Sequence, residues 1–374
     1  MSALRIGLTK QSNEVALSLF EEPYAPIANR RRRTFGRAFL FIGILLVSAI
    51  AIMPSPYVIE RPGVVVNTLG TDDVAPIVEV SGKTYPTSGQ LNLLTVSLVG
   101  SPEQTPSWFE IAQAWIDPAQ TILPLDEVFP PNQSVQQSDA ESKAMMEESQ
   151  QDAIAAALTG LGYSVPRHLY VSEVFKETPA AGRLIAKDFI QKANGKAVDS
   201  LETLRAEIQA SGGKPMVLEV LRAGAIKQVE LTPYLDSKTY RLGVMTGYTY
   251  DFPIKVKIRT GDIGGPSGGM MFALAITDKL TPGKLTGGLN ISGTGTIDVN
   301  GNVGPIGGIQ QKMYAALRAG SKLFLAPSTN CDEVVGHIPD GLNVIKVSTL
   351  AEAKSVITKL AAGTSPASLP TCTK

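Results

Sequence analysis

The sequence contains little cysteine and little histidine, the residues of disulfide frameworks, zinc ribbons and histidine-based metal sites. The 374 residues include two cysteines and two histidines, His168 and His337. Two cysteines cannot build a zinc ribbon or a disulfide scaffold, and two histidines leave little for a histidine-based metal site. The sequence therefore predicts neither a metal centre nor a bound cofactor.

Charge is also scarce. Charged residues make up 18% of the chain, and 34 basic residues balance 34 acidic ones. This balance excludes a broadly basic nucleic-acid-binding protein, so we expect no nucleic-acid partner. Hydrophobic residues make up 44%, which is enough for packed cores and excludes a chain that is disordered throughout. The length predicts two or three domains.

A long uncharged stretch follows a basic N-terminal segment. Residues 1–37 contain seven basic and three acidic groups, and residues 38–59 contain no charge. Because a membrane-spanning helix needs about 20 apolar residues and basic residues favour the cytoplasmic side, we expect a single transmembrane signal anchor. The N-terminus would then be cytoplasmic and the remaining chain extracytoplasmic. A cleaved signal peptide is the alternative, since Ala49-Ile50-Ala51 provides a small-x-small site.

The two cysteines, Cys331 and Cys372, would lie in the exported part of such a protein. In an oxidising compartment they could pair, and the alternative is two separate thiols. The sequence leaves both open.

The exported part begins with short β-branched runs and then a helical segment. Residues 57–135 are β-rich, because runs such as PIVEV and LNLLTVSLV are separated by Gly, Pro and Ser. Residues 138–159 predict a helix that Ser138 caps and that glycines end.

Residues 165–233 form a distinct unit. The unit contains a strand (LYVSEV), an Asn194-Gly195 turn, a capped helix (SLETLRAEIQASGG) and a second hairpin. This order resembles a bacterial PDZ domain, although Ala186-Lys187-Asp188 stands where Gly-Asp is usual in the family. PDZ domains capture extended peptides at a sheet edge. Gly160-Leu-Gly-Tyr163 matches the carboxylate-binding loop of that family, and it also matches an ordinary helix C-terminus.

Ser267 lies at a predicted strand-to-helix turn, within Gly-Gly-Pro-Ser-Gly-Gly at residues 264–269. Free N–H groups at a helix start favour an anion, which suits an oxyanion hole beside a nucleophilic hydroxyl. A plain serine N-cap is the alternative.

Lys312 falls within the apolar face of a predicted helix at residues 307–320. Burial lowers the pKa of a lysine, and a neutral lysine near pH 7 can act as a general base. A lysine that extends from the edge of the face to solvent, or one that meets a buried carboxylate, is the alternative. Between Ser267 and Lys312 lies a glycine-rich hairpin, and a hydroxyl at Thr294 could hydrogen-bond the lysine amine.

These motifs together resemble the proteolytic domain of the Lon peptidase family. The matching stretches are GPSGG, TGTI, GNVGPIGGIQQK and AGSKLFLAPSTN. The resemblance implies a Ser-Lys dyad with Ser267 as nucleophile and Lys312 as general base, supported by Thr294 and the turn residues Gly265, Pro266 and Gly268. The family usually has alanine where this chain has Gly268. No GxxxxGK[ST] motif occurs in the sequence, so we expect no dependence on ATP.

The whole pattern resembles the membrane-anchored, PDZ-containing Lon-like serine peptidases. It implies an α+β fold with one N-terminal transmembrane helix and a Lon-type proteolytic domain that contains an inserted PDZ-like domain. The expected segments are a basic cytoplasmic tail (1–37), the anchor (38–56), the β-rich start of the Lon-like domain plus a helix (57–164), the PDZ-like domain (165–235), the Lon-type proteolytic domain (236–360) and a flexible tail (361–374).

The implied function is cleavage of peptides, exported proteins or unfolded chains, with the PDZ-like domain binding substrates or partners. The family forms rings, so a homo-oligomer is one alternative for this chain. Two other functions stay open. The chain could be an inactive PDZ scaffold on a Lon-like fold, or Gly265-Pro-Ser-Gly-Gly269 could be the nucleophile elbow of an α/β-hydrolase that uses His337.

Overall fold

The computed structural model describes residues 30–130 and 134–373, with side chains from residue 37 onwards. The helices of four or more residues are α1 (Arg30–Ile52), α2 (Trp108–Ile116), α3 (Leu125–Val128), α4 (Val135–Gly160), α5 (Leu201–Ala210), α6 (Gly269–Leu280), α7 (Ile309–Arg318), α8 (Cys331–Val334) and α9 (Leu350–Ala361).

The strands are β1 (Tyr57–Asn67), β2 (Val78–Val80), β3 (Gln90–Val99), β4 (Thr121–Pro124), β5 (Arg167–Val174), β6 (Phe189–Ala193), β7 (Lys196–Ala197), β8 (Met216–Arg222), β9 (Ala225–Leu231), β10 (Tyr234–Asp236), β11 (Thr239–Arg241), β12 (Val244–Tyr250), β13 (Val256–Ile258), β14 (Asn290–Gly293), β15 (Thr296–Ile297), β16 (Val303–Gly304), β17 (Leu323–Pro327) and β18 (Asn343–Val347).

A six-stranded sheet carries the main core, in the order β18-β17-β14-β3-β1-β4. β1 pairs antiparallel with both β4 and β3. The other three pairs, β3 with β14, β14 with β17 and β17 with β18, are parallel. Parallel neighbours need crossovers, which α7 supplies between β14 and β17 and α8 supplies between β17 and β18. The structure is therefore mixed α/β, and the predicted α+β class is wrong because the sequence does not reveal the direction of strand pairing.

Side chains on β3 alternate between two cores, as expected for a strand buried on both faces. Leu93 belongs to the cluster that contains α6, and Leu94 belongs to the cluster that contains α7. Both leucines are almost fully buried. The sheet thus places two helices against one strand. These are α6, which follows Ser267, and α7, which carries Lys312.

A second sheet, in the order β12-β5-β6-β8-β9, has a core of its own. Alternating residues such as Leu218 and Val220 point into this core, and Ser200 caps the helix α5 that packs on it. Asp188, fully buried, accepts two hydrogen bonds of 2.7 Å from Arg222. This charge-assisted pair fixes the unusual Ala-Lys-Asp turn.

The N-terminal unit, residues 1–53, is described only from residue 30. Most of the predicted cytoplasmic tail therefore lies outside the described residues. In the described residues no helix is both long and apolar enough to span a bilayer. The predicted transmembrane helix and the single-pass membrane location with an extracytoplasmic catalytic domain are therefore wrong.

The reason lies in where α1 begins and ends. Its 23 residues start with four arginines and end at Ile52, so its uncharged part is Ala38–Ile52. At about 1.5 Å per residue this part is about 22 Å long, and a hydrocarbon core is about 30 Å thick. The remaining uncharged residues belong to a turn and to the start of β1.

Cys331 and Cys372 form a disulfide across 41 residues. Within the segment that the sequence predicts to be flexible, Leu369 is buried and Pro370 accepts a hydrogen bond from Lys346 on β18. In the described part of this segment, the chain is thus attached to the core at more than one point.

Candidate active site

The turn that carries Ser267 is held by helix α4. The Gly265 N–H donates to the carbonyl of Ser142 at 2.8 Å, and the Ser149 hydroxyl donates to the carbonyl of Pro266 at 2.8 Å. Gly265 has φ +81°, a conformation that glycine adopts without strain. Two residues of α4 therefore fix the backbone on the N-terminal side of Ser267, while Ser267 itself is partly exposed.

The other side of the turn is held from the end of β14. The carbonyl of Ser267 accepts hydrogen bonds from the Gly295 N–H at 2.9 Å and from the Thr294 hydroxyl at 3.1 Å. Thr294 is fully buried. The structure therefore brings Thr294 against the Ser267 backbone, and among the hydrogen bonds of the described residues none joins Thr294 to Lys312.

Helix α6 begins two residues after Ser267, at Gly269, with Gly268 as its N-cap residue. A methyl group added to Gly268 would lie 2.1 Å from Cδ1 of Leu93 and 3.1 Å from Phe272. The glycine therefore permits close packing of the turn against β3. The positive end of the α6 dipole lies beside Ser267, where a developing oxyanion would be stabilised.

Lys312 lies in the first turns of α7 and is only 2% exposed. Burial lowers its pKa to about 8, and the opposing influence is the negative charge of Glu60 on β1. A lysine with this pKa is substantially neutral in mildly alkaline solution, which suits a general base.

Glu60 is a residue that the sequence analysis missed. A methyl group added to Gly308, the N-cap of α7, would lie 2.6 Å from Oε1 of Glu60, so the carboxylate lies over the start of the lysine helix. Burial raises the pKa of Glu60, while Lys312 lowers it and Glu333 raises it further. The available signal was a charged pair, Glu60-Arg61, between the apolar runs Tyr57–Ile59 and Val64–Val66.

The Ser267 turn and the start of the lysine helix both pack against β3. Leu93 lies against Gly268, and Val96 lies against Gly308. Among the hydrogen bonds formed by the described residues, none links Lys312 to Ser267.

The hydrolase alternative gains no support from the position of His337. This residue is exposed in the loop after α8, and its backbone N–H donates to the carbonyl of Val334. In the part of the chain that the structure describes, no group of three or more His, Cys, Asp or Glu could hold a metal ion.

Comparison with known proteins places a family model on this region. Residues 225–361 match the Lon protease (S16) C-terminal proteolytic domain. Lon protease 1 of Bacillus subtilis (strain 168) is 28% identical over 181 residues, which are 46% of this chain and 23% of that protein. Lon protease of Buchnera aphidicola subsp. Acyrthosiphon pisum (strain APS) is 30% identical over 159 residues, which are 40% of this chain and 20% of that protein. The match thus spans less than a quarter of these relatives.

Solved structures are similar only to a small part of the chain. The PDZ domain of an SdrC-like protein from Listeria innocua is 23% identical, covering 21% of this chain and 92% of that one, with a TM-score of 0.20. A solution structure from Geobacillus thermodenitrificans is 26% identical, covering 21% and 94%, also with a TM-score of 0.20. Scores this low carry no argument. The family model and the Lon relatives, by contrast, show that residues 225–361 are similar to the Lon protease (S16) C-terminal proteolytic domain.

Proposed function

We propose that this chain is a serine endopeptidase that cleaves peptides and unfolded proteins without ATP. Ser267 is the nucleophile and Lys312 is the general base. The observation that carries the proposal is the burial of Lys312, at 2% exposure with a pKa of about 8, inside the segment that matches the Lon proteolytic domain. Burying a lysine costs free energy of folding, and strongly perturbed groups of this kind are common at functional sites.

In the proposed mechanism, neutral Lys312 accepts the hydroxyl proton of Ser267 as Oγ attacks the scissile carbonyl. The α6 N-terminus stabilises the negative charge that develops on the carbonyl oxygen. Lys312 then gives its proton to the leaving amine, and it activates the water that hydrolyses the acyl-enzyme. Thr294 keeps the Ser267 backbone in place through its 3.1 Å hydrogen bond.

Residues 165–235, with their separate core, form a PDZ-like domain in this proposal, which binds substrates or partners. The catalytically inactive scaffold is the second candidate. It is favoured by one observation, namely that Thr294 uses its hydroxyl on the Ser267 carbonyl and that no hydrogen bond joins Ser267 to Lys312 in the described residues.

The test uses the whole chain with an unfolded protein substrate, without ATP, from pH 6 to pH 10. We expect the wild type to cleave and its rate to rise through about pH 8, while Ser267→Ala and Lys312→Met are inactive. An acyl-enzyme trapped on Ser267 and detected by mass spectrometry would identify the nucleophile. Equal rates in wild type and Ser267→Ala would refute the assignment, and no cleavage by any form would favour the scaffold.

A further inference from the structure

A groove runs between helix α4 and the outer face of the second sheet, where β5, β6 and β12 lie. We call it the α4 groove, and its volume is about 880 Å³. The wall from Glu141 to Gln151 is about 15 Å long at 1.5 Å per residue. An extended chain rises about 3.3 Å per residue, so this length fits four to five residues of a peptide.

The groove and the Ser267 turn share one helix. Ser142 and Ser149 contact Gly265 and Pro266 from α4, and groove-lining residues lie immediately beside them in the same helix, among them Glu141 and Glu148. The groove and the Ser267 turn therefore lie against neighbouring faces of the same helix.

The floor and rim of the groove are apolar and adaptable. The rings of Tyr170 and Phe189 lie 6.0 Å apart, and Gly247 allows the Tyr170 ring to lie across β12, since an added methyl would be 3.0 Å from its hydroxyl. Met145 on the helix is 43% exposed, and Met245 on β12 is 51% exposed. Flexible methionines with aromatic rings suit binding to varied apolar side chains.

The helix wall is acidic. Glu147 and Glu148 are exposed along it, together with Glu141. Among the described residues that line the groove, Lys187 is the single basic one. A ligand with basic side chains is therefore complementary in charge to the groove.

We propose that the α4 groove binds an extended segment of the polypeptide substrate that carries both basic and large apolar side chains. The function of this segment as a substrate rests on the proposed peptidase activity, but its binding does not. The groove selects the substrate, while Ser267 performs the chemistry.

The experiment measures binding with the full chain as Ser267→Ala, so that no peptide is cut. The probes are a fluorescein-labelled peptide of Lys, Leu and Tyr spaced by Gly and Ser, and the same peptide with Glu in place of Lys. Fluorescence anisotropy gives both dissociation constants. We expect the basic peptide to bind at least about tenfold more tightly, and added salt to weaken this preference.

The test variant combines Glu147→Lys and Glu148→Lys. The control for added positive charge is Asp139→Lys, which lies on the same helix but outside the groove. We expect the double variant to weaken binding of the basic peptide about tenfold, and the control to stay within about twofold. Circular dichroism checks that each variant is folded.

Equal binding of the two peptides, or equal effects of the test and control variants, would overturn the proposal. A changed oligomeric state in the double variant, seen by light scattering without altered peptide affinity, would instead assign the groove to a second copy of this chain. Selective binding by a chain whose wild type cleaves nothing would retain the groove and refute the peptidase. Cleavage by the wild type without selective binding of the basic peptide would retain the peptidase and refute the groove.

Discussion

Replacing Glu60 with glutamine should make Lys312 a weaker base that is available at lower pH. The Glu60 carboxylate lies over the start of the lysine helix, and its charge favours the protonated lysine. Glutamine keeps the size and removes the charge. Burial, which lowers the pKa of Lys312, would then act without this opposing influence.

The magnitude follows from the geometry. An opposite charge within about 4–6 Å shifts a pKa by about 1–3 units. Glu60 is partly exposed, and the ion pairs within 4.0 Å in the described residues do not include one between Glu60 and Lys312. We therefore take the lower end, about one unit or about 1.4 kcal/mol, which moves the pKa of Lys312 from about 8 to about 7.

A change of this size has a clear signature. At pH 7 the neutral fraction of Lys312 would rise from about a tenth to about a half, so kcat/KM should rise up to about fivefold if the loss of basicity costs little. The pH midpoint of kcat/KM and the titration of the lysine, followed by NMR in the Ser267→Ala background, give two readouts. The second does not require activity.

The control for Glu60→Gln is Glu333→Gln, an exposed residue on α8 that raises the pKa of Glu60. Without the Glu333 charge the Glu60 carboxylate is more stable, so the pKa of Lys312 should stay unchanged or rise slightly. A midpoint for Glu60→Gln that stays in place or moves upward would refute the reasoning. A loss of activity at every pH with an unmoved midpoint would show a purely structural role.

Three further predictions concern packing, pH and the disulfide. Gly268→Ala should destabilise the fold by about 1–3 kcal/mol through overpacking against Leu93. In a Leu93→Ala background, which is itself less stable, the same change should cost much less in thermal unfolding. Burial raises the pKa of Asp152 to about 6, so the wild type should lose up to about 2 kcal/mol of stability relative to Asp152→Asn as pH rises from 4 to 7; parallel pH profiles would contradict this. Replacing Cys331 and Cys372 with serine should cost about 4 kcal/mol, from the 41-residue separation, and reductant should affect only the wild type in denaturant titrations.

Local pattern predicted much of the secondary structure around the site. The helix expected at residues 307–320 is α7 (Ile309–Arg318), and the helix expected at 138–159 is α4 (Val135–Gly160). Capping residues and apolar spacing act within a few residues of one another, so the sequence alone reveals them.

Features that depend on distant partners were not predictable in the same way. The contact between Glu60 and the start of α7 joins residues almost 250 positions apart in the chain, and nothing local in either segment indicates it. The same holds for Ser142 and Ser149, whose hydrogen bonds to the Ser267 turn appear only when α4 lies against it. The apolar run after Arg37 wrongly predicted a transmembrane helix, because hydropathy does not show where a helix ends.

The order of strands in the main sheet determines how late in synthesis that sheet can be completed. β3 pairs with β1 early, but its other neighbour, β14, begins at Asn290, opposite Gln90. At about 5–20 residues per second the ribosome needs about 10–40 s to make the intervening chain. During that time one edge of β3 has no partner from its own sheet, and such edges invite pairing with other chains. Protection of this edge by a chaperone would matter most in that interval, before the helix that carries Lys312 has been made.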